Sequence, residues 1–510
     1  MLPVNARTPK TLISSVIHAA RRQGSTLSDG TLQVDWATID SALAAIEAFL
    51  GEHGIAADDM LALESVNSVP GALTLLALLS RGASFAFLPA PGPTAPAQPL
   101  PRFLRHRISV RSPLAEGRRG PVSLLRPETF LELRAVEDHR PLPEGSPLRR
   151  GRLLLRTSGS LDSPKLVVHT HEGLLGNALN AVERLALDVA DRVLIPVPLA
   201  HMYGLGAGFL PAMSVGASVE LLEGANLLRY MERERSFRPT VAFLSPNLCA
   251  MLLRPRDALG HYRHVVVAGD KLSPEAFEKA EALFRRVVNL YGSTEMGVIC
   301  AADARETEGP RATTVGRPLP GVTLHLEPQP GSAEGDGSPG DLFCAHPYGF
   351  EGYVDSDGEP LSRAADAQAG GYATRDLGRL HPDGLLEVLG RGDHAVKRDG
   401  RLVMLAEVER ALERLAGVER AAVVVAGETR RGRGIVAFCT PRAGVEIEPG
   451  GLRRACQGAL PAYAVPDEIC LLPSLPLLPS GKLDRRALQR AAPAPHSPHE
   501  ASPDHGHRQS

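Results

Sequence analysis

Leu153-Leu154-Leu155-Arg156-Thr157-Ser158-Gly159-Ser160-Leu161-Asp162-Ser163-Pro164-Lys165 runs from an apolar strand pattern into hydroxyls, a glycine and one lysine. A buried strand that delivers small hydroxylated residues and a cation into a tight loop presents backbone N–H groups and a point charge to phosphate. The loop is not of the Walker type. Alignment from Gly159 puts Pro164 at the second glycine and Leu166 at the hydroxyl that should follow the lysine. Taken alone, the stretch reads equally as a phosphate-binding loop or as a Ser/Gly surface turn. Lysine usage favours the first reading. Of 56 Lys+Arg residues only those at 10, 165, 271, 279, 397 and 482 are lysine, so arginine serves wherever surface charge suffices. A lysine that persists marks a place for a compact ammonium, or simply survives the drift of a GC-rich genome.

The 510 residues have room for two or more domains and a large core. A net charge of −2 argues against nucleic acid as a partner, because a phosphate-binding face pulls the balance basic. The six cysteines (249, 300, 344, 439, 456 and 470) have no C-x-x-C pair and no metal-ligand spacing, the pattern of reduced, buried thiols in a cytoplasmic protein. The 17 histidines contain no H-E-x-x-H and no paired Cys/His spacing. Residues 1–24 carry Arg7, Lys10, Arg21 and Arg22 without an apolar signal core. The longest apolar helical run, 72–79, is too short to span a bilayer.

From 28 to 90 the periodicity predicts a helix over 36–52, a strand over 60–64, a helix over 70–79 and a strand over 84–88, an alternation that suits a parallel sheet. Residues 90–100 read as a Pro/Ala linker, and the arginine-rich 101–150 as a stretch with little structure. After 151 an apolar strand, a polar loop and an amphipathic helix recur, with strands at 153–155, 193–197, 241–244, 265–268 and 287–290. Ligands bind beyond the carboxyl ends of the strands in an open parallel sheet. Five loops, at 157–165, 201–204, 245–247, 269–271 and 291–295, are therefore expected to line one crevice. Residues 316–390 read as β-hairpins and 391–394 as a polar hinge-like break. A helix over 405–415 and strands over 421–425 and 434–440 build a small α+β domain, and the Pro/His/Ser-rich tail after 491 has nothing to bury.

Along 28–488 the chain resembles the adenylate-forming superfamily of acyl-CoA synthetases, adenylation domains and luciferases. The resemblance rests on 157–165 (T-S-G-S-T-G-x-P-K in the family), on Tyr291-Gly292-Ser293-Thr294-Glu295, and on Tyr372-x-Thr374-x-Asp376-Leu377-Gly378. It extends through Gly390-Arg391-x-Asp393-x-x-Val396-Lys397-x-x-Gly400 and Pro479-Ser480-Gly481-Lys482-Leu483-Asp484-Arg485. Tyr203-Gly204-Leu205-Gly206 with Gly292-Ser293-Thr294-Glu295-Met296 looks most like benzoate-type aryl-CoA ligases. The implied fold is α/β: a large N-terminal domain over 1–390 with mostly parallel sheets and a β-rich part, a small mobile C-terminal domain over 391–490, and a disordered tail over 491–510.

The resemblance implies an acid–thiol ligase that joins a carboxylate to the α-phosphate of ATP, releases pyrophosphate and passes the acyl group to coenzyme A. Thr157, Ser158, Gly159, Ser160 and Lys165 would hold the β- and γ-phosphates, Thr294 the α-phosphate, and Glu295 magnesium. Gly269, Asp270 and Tyr291 would complete the nucleotide site, and Asp376 and Arg391 would bind the ribose. Lys482 would bridge carboxylate and α-phosphate, Asp393 would be the hinge, and Lys397 and Gly400 would line the thiol tunnel. The acid pocket would take His201, Tyr203, Gly204, Ala268, Gly292, Met296 and Gly297.

The family's amino-acid-activating enzymes use an aspartate in the segment that here is 201–208, H-M-Y-G-L-G-A-G, which has no acid to offset a desolvated ammonium. An aryl acid is therefore expected first and a short or medium acyl acid second. The phosphopantetheine of an acyl carrier protein is the alternative acceptor, and Arg430-Arg431-Gly432-Arg433 is either its docking run or a solvated loop. The chain departs from the family at Leu161, Asp162, Leu166 and Arg375. Those departures keep open a catalytically weak binding or scaffold protein on the same fold. A monomer or homodimer is expected.

Overall fold

The computed structural model describes residues 24–493 apart from 92–98, 112–122, 157–164, 225, 254–258, 307–310, 329–337, 364–370, 393–394, 399–400, 430–431, 443 and 478–482. The described residues divide into two compact units. One lies within Met1–His325, Phe343–Thr374 and Leu380–Glu387, the other within Leu326–Leu342, Arg375–Arg379 and Val388–Ser510.

In chain order the first unit has strands β1 (Thr26–Ser28) and β2 (Gln33–Asp35), helix α1 (Trp36–Glu52), β3 (Met60–Ser65), α2 (Val69–Arg81) and β4 (Ser84–Pro89). Then come β5 (His106–Val110), β6 (Leu131–Ala135), β7 (Arg152–Arg156), β8 (Leu166–Thr170), α3 (His171–Leu185), β9 (Arg192–Ile195) and β10 (Ser218–Leu221). They are followed by β11 (Val241–Leu244), β12 (His264–Val267), β13 (Val287–Ser293), β14 (Gly297–Ala301) and β15 (Arg317–Pro318). Of the strands that follow, β18 (Gly352–Val354) and β19 (Pro360–Arg363) belong to the first unit, while β16 (Thr323–Pro328), β17 (Gly340–Ala345), β20 (Tyr372–Leu380) and β21 (Leu386–Arg391) each have residues in both units.

Continuous apolar strands do pair in parallel and lie buried, as covered sheets require. The nine-stranded sheet runs β15-β14-β13-β12-β11-β9-β10-β1-β2 and the eight-stranded sheet β19-β18-β8-β7-β4-β3-β5-β6, while β16-β17-β20-β21 form a sheet of four. Every residue of β3 is buried. Helix α2 joins β3 to its parallel partner β4 and is buried on all sides from Val69 to Leu79, which is why its sequence shows no polar face. The Ser68 hydroxyl accepts from the Gly71 N–H at its start, and Gly82 ends it at φ 71°.

Two sequence expectations are corrected. The five strands at 153–155, 193–197, 241–244, 265–268 and 287–290 do not share a sheet: β7 sits in the eight-stranded sheet and the other four in the nine-stranded one. Residues 101–150 are not without structure, because β5 pairs in parallel with β3, and β6 closes the edge antiparallel to β5. Arg107 on β5 and Arg105 and Arg111 beside it broke the apolar signal there, because β5, next to the sheet edge, is only partly buried.

The second unit carries β22 (Ala395–Arg398), β23 (Arg401–Met404), helix α4 (Leu405–Glu413), β24 (Val418–Thr429), β25 (Gly432–Pro441), helix α5 (Pro449–Ala459) and β26 (Glu468–Leu471). Its sheet runs β23-β22-β25-β24 with β26 beside β25. Both helices pack on one core with Val408, Leu412, Val423, Ala437, Leu452 and Cys456. All six cysteines are free thiols.

Candidate active site

Thr294-Glu295-Met296 is the turn of the β13–β14 hairpin, and four separate elements hold it. Within the hairpin, Ser293 Oγ accepts from the Met296 N–H at 3.0 Å. A Cβ on Gly292 would fall 2.2 Å from the Gly297 carbonyl oxygen, so Gly292 is fixed by the closeness of the two strands. From α3, the buried Asn177 amide takes the Val298 N–H at 3.1 Å and returns a hydrogen bond to its carbonyl at 3.2 Å. From β8, His169 Nε2 donates to the Thr294 carbonyl at 2.7 Å. A carbonyl only accepts, so the proton sits on Nε2; burial lowers this imidazole to about 4 and keeps it neutral. From the segment before β18, the Phe350 N–H donates to the Glu295 carbonyl at 2.8 Å.

The Glu295 side chain is half-buried. Its Oε1 accepts from the Tyr353 phenol at 2.8 Å, and that phenol lies 2.9 Å from the Tyr372 hydroxyl. Lys165 Nζ lies 5.8 Å from the centre of the Tyr353 ring. Lys165 and Glu295 lie in motifs 130 positions apart, and β18 brings them to one place by pairing with β8, Tyr353 opposite Val167. Among the described residues Oε2 of Glu295 has no hydrogen-bond partner, and no group of three His, Cys, Asp or Glu side chains forms a metal cage. One carboxylate with an open oxygen beside a cation fits magnesium shared with nucleotide phosphates, the ion's usual arrangement.

Of the acid-pocket candidates, Gly204 lies in a π-helix over Tyr203–Phe209 whose residues beyond Tyr203 are buried, and none is acidic. A π-helix is rare and clusters at functional sites. A Cβ on Gly204 would fall 2.3 Å from the Pro198 carbonyl oxygen, so the chain passes there only as glycine. The Tyr203 hydroxyl is committed to the Val266 and Leu244 carbonyls at 2.8 and 3.1 Å, closing the ends of β11 and β12. His201 is half-buried, Ala268 and Met296 are buried, and Gly297 turns the hairpin at φ 66°. Gly269 and Asp270 are exposed beyond β12, with Gly269 at φ 95°, and Tyr291 is half-buried on β13.

In the second unit Asp376 Oδ1 and Arg391 Nε are 3.9 Å apart, so β20 and β21 do bring the proposed ribose pair together. Arg375 keeps a glycine's conformation without being one, at φ 62°. Leu166 is no loop residue: it fills the core of β8 with Met60, Leu88, Phe103 and Leu154. Lys397 belongs to β22, opposite Leu402. Thr157, Ser158, Gly159, Ser160, Leu161, Asp162, Asp393, Gly400 and Lys482 lie outside the described residues, as does the tail after 493. Sequence reasoning missed His169, Phe350, Tyr353 and Tyr372 as parts of this site; with 8 tyrosines and 13 phenylalanines in 510 residues, aromatic scarcity was the available signal.

A nine-stranded and an eight-stranded sheet with helices, a four-stranded sheet and a small α+β unit make up the fold of the adenylate-forming enzymes. The family model for AMP-binding enzymes matches residues 127–354, and that for their C-terminal domain matches 407–482. The chain belongs to this adenylate-forming family. It is 31% identical to 2-hydroxy-7-methoxy-5-methyl-1-naphthoate–CoA ligase of Streptomyces carzinostaticus over 70% of its own length and 65% of the relative's. It is 29% identical to the probable non-canonical nonribosomal peptide synthetase CymA of Salinispora arenicola over 94% of its own length and 6% of that protein. The structure of ATP-bound MatB from Rhodopseudomonas palustris superposes with a TM-score of 0.76 at 18% identity, covering 95% of this chain and 99% of the other. Among the described residues no helix is long and apolar enough to cross a membrane.

Proposed function

We propose that the protein activates a carboxylic acid as its acyl-adenylate and transfers the acyl group to a thiol, coenzyme A by preference. The observation that carries this reading is the Glu295 carboxylate, held at one oxygen and, among the described residues, open at the other, with Lys165 across the Tyr353 ring. Bound magnesium would neutralise charge on the triphosphate there. Lys165, with 157–160, steadies the leaving pyrophosphate, and Thr294 meets the α-phosphate from a turn that cannot relax. Gly269, Asp270 and Tyr291 complete the nucleotide site, and Asp376 with Arg391 takes the ribose hydroxyls. Lys482 bridges the attacking carboxylate and the α-phosphate. Preorganised charges of this kind are what a reaction between anions requires.

The acid is proposed to be aryl. The absence of any acidic side chain in the Tyr203–Phe209 π-helix supports an uncharged tail, and the naphthoate–CoA ligase relative supports an aromatic one. A carrier-protein phosphopantetheine is the second acceptor, favoured by the match to a peptide synthetase along 94% of this chain. ATP–pyrophosphate exchange over unsubstituted, ortho-amino and ortho-hydroxy benzoates, C4–C12 acids and α-amino acids tests both halves. Benzoates should lead. Alanine or phenylalanine in the lead would refute the pocket reading, and Glu295→Gln should cut exchange by about 10²-fold or more.

A further inference from the structure

Resting on the assignment of Glu295 to magnesium, we infer that Tyr353 is the positioning residue of that carboxylate, with Tyr372 as the donor behind it. An ionised carboxylate accepts and never donates, so the single phenolic proton of Tyr353 goes to Glu295 Oε1 at 2.8 Å. The 2.9 Å contact between the two phenols is then donated by Tyr372. The hydroxyl chain has one direction, Tyr372 to Tyr353 to Glu295, and it ends on Oε1 while leaving Oε2 for the cation.

Packing gives the donor a fixed position. Phe350 meets Tyr353 edge-on at 5.0 Å and Tyr372 at 5.1 Å, and its N–H holds the Glu295 carbonyl. One aromatic cluster thus fixes the backbone and the carboxylate of the same residue. A carboxylate that must lose rotamer freedom to bind metal loses less when a neighbour already holds it, and outer partners of this kind change metal affinity about 10–100-fold.

The fold contains a second tyrosine pair on a glutamate, which serves as a control. Tyr262 donates to Glu234 Oε1 at 2.8 Å and lies 2.9 Å from Tyr230, but Glu234 is only 3% exposed in the core. The same donor arrangement there lies on a core carboxylate; at Glu295 it lies on a half-buried one.

Manganese(II) binding by the full chain with a non-hydrolysable ATP analogue, followed by electron paramagnetic resonance, tests the inference without turnover. Tyr353→Phe keeps the ring and removes the donor. It should weaken manganese binding about tenfold or more, with nucleotide affinity in the absence of metal unchanged. Tyr372→Phe should cost a few-fold, and it carries the test if Tyr353→Phe does not fold. Tyr262→Phe should leave manganese affinity as in the wild type. Wild-type affinity in Tyr353→Phe, or an equal loss in Tyr262→Phe, overturns the inference. Wild-type affinity in Glu295→Gln overturns the assignment of Glu295 itself, a separable outcome.

Discussion

Glu295 is one of 58 acidic residues, and its partners set it apart: a phenol on its carboxylate, an N–H on its carbonyl and a buried histidine on the residue before it. None of these neighbours is near it in sequence except the hairpin itself. Buried histidines also set how the fold responds to acid. His264 starts β12 in the core, where burial, with Arg263 and then Arg286, lowers it to about 3 from 6.5. Its Nε2 has no hydrogen-bond partner among the described residues. Above the unfolded value neither state holds the proton. As pH falls from about 6.5 toward 3, the unfolded chain takes up a proton that the folded one refuses, so stability drops by up to about 1.4 kcal/mol per pH unit per histidine. His169 and His171, each lowered to about 4, add to the slope. His264→Leu should flatten the dependence of the urea midpoint between pH 6.5 and 4 by about one proton; an unchanged slope would assign the acid sensitivity elsewhere.

At the scale of elements, the departures from the family pattern acquire physical reasons. Leu166 stands where the family often has glycine, and its side chain is 1% exposed in the β8 core. Leu166→Gly, which restores the family residue, should therefore destabilise by about 2–5 kcal/mol through the cavity it leaves, read from chemical denaturation. A loss under about 0.5 kcal/mol would mean that β8 tolerates the loop residue after all. Arg375 shows the opposite case: the backbone kept the left-handed conformation that glycine adopts freely, at a cost of about 1 kcal/mol. Periodicity found β3, β11, β12 and α2 because their faces are buried throughout. It missed β6 at the sheet edge and β5 beside it because both are only partly buried and carry arginines, which leaves a weak apolar signal.

For the whole molecule, the proposed acid–thiol ligase has two half-reactions that need different groups at one carboxyl carbon, and the resemblance assigns Lys482 to the first and Asp393 to the change between them. Lys482→Ala should abolish acyl-AMP formation yet leave thiol transfer from supplied acyl-AMP nearly intact. Asp393→Pro, which fixes φ, should do the reverse. Feeding each variant either acid plus ATP or synthetic acyl-AMP plus coenzyme A checks both, and equal damage to both steps in both variants would refute this division of labour.

The family was legible in the sequence because its signatures are local: short runs such as Tyr291-Gly292-Ser293-Thr294-Glu295 carry the turn, the hydroxyl and the carboxylate together. So was the alternation of strand and helix, since burial on both faces writes itself into every residue of a strand. The split of the strands between two sheets was not, because apolar runs specify burial and not partners. Nor was the Tyr353–Glu295 contact, which spans 58 positions and exists only because β18 pairs with β8. Sequence by itself named the groups proposed for the chemistry. Tertiary structure alone decided which of them hold one another in place, since a hydrogen bond depends on ångströms that long-range strand pairing sets.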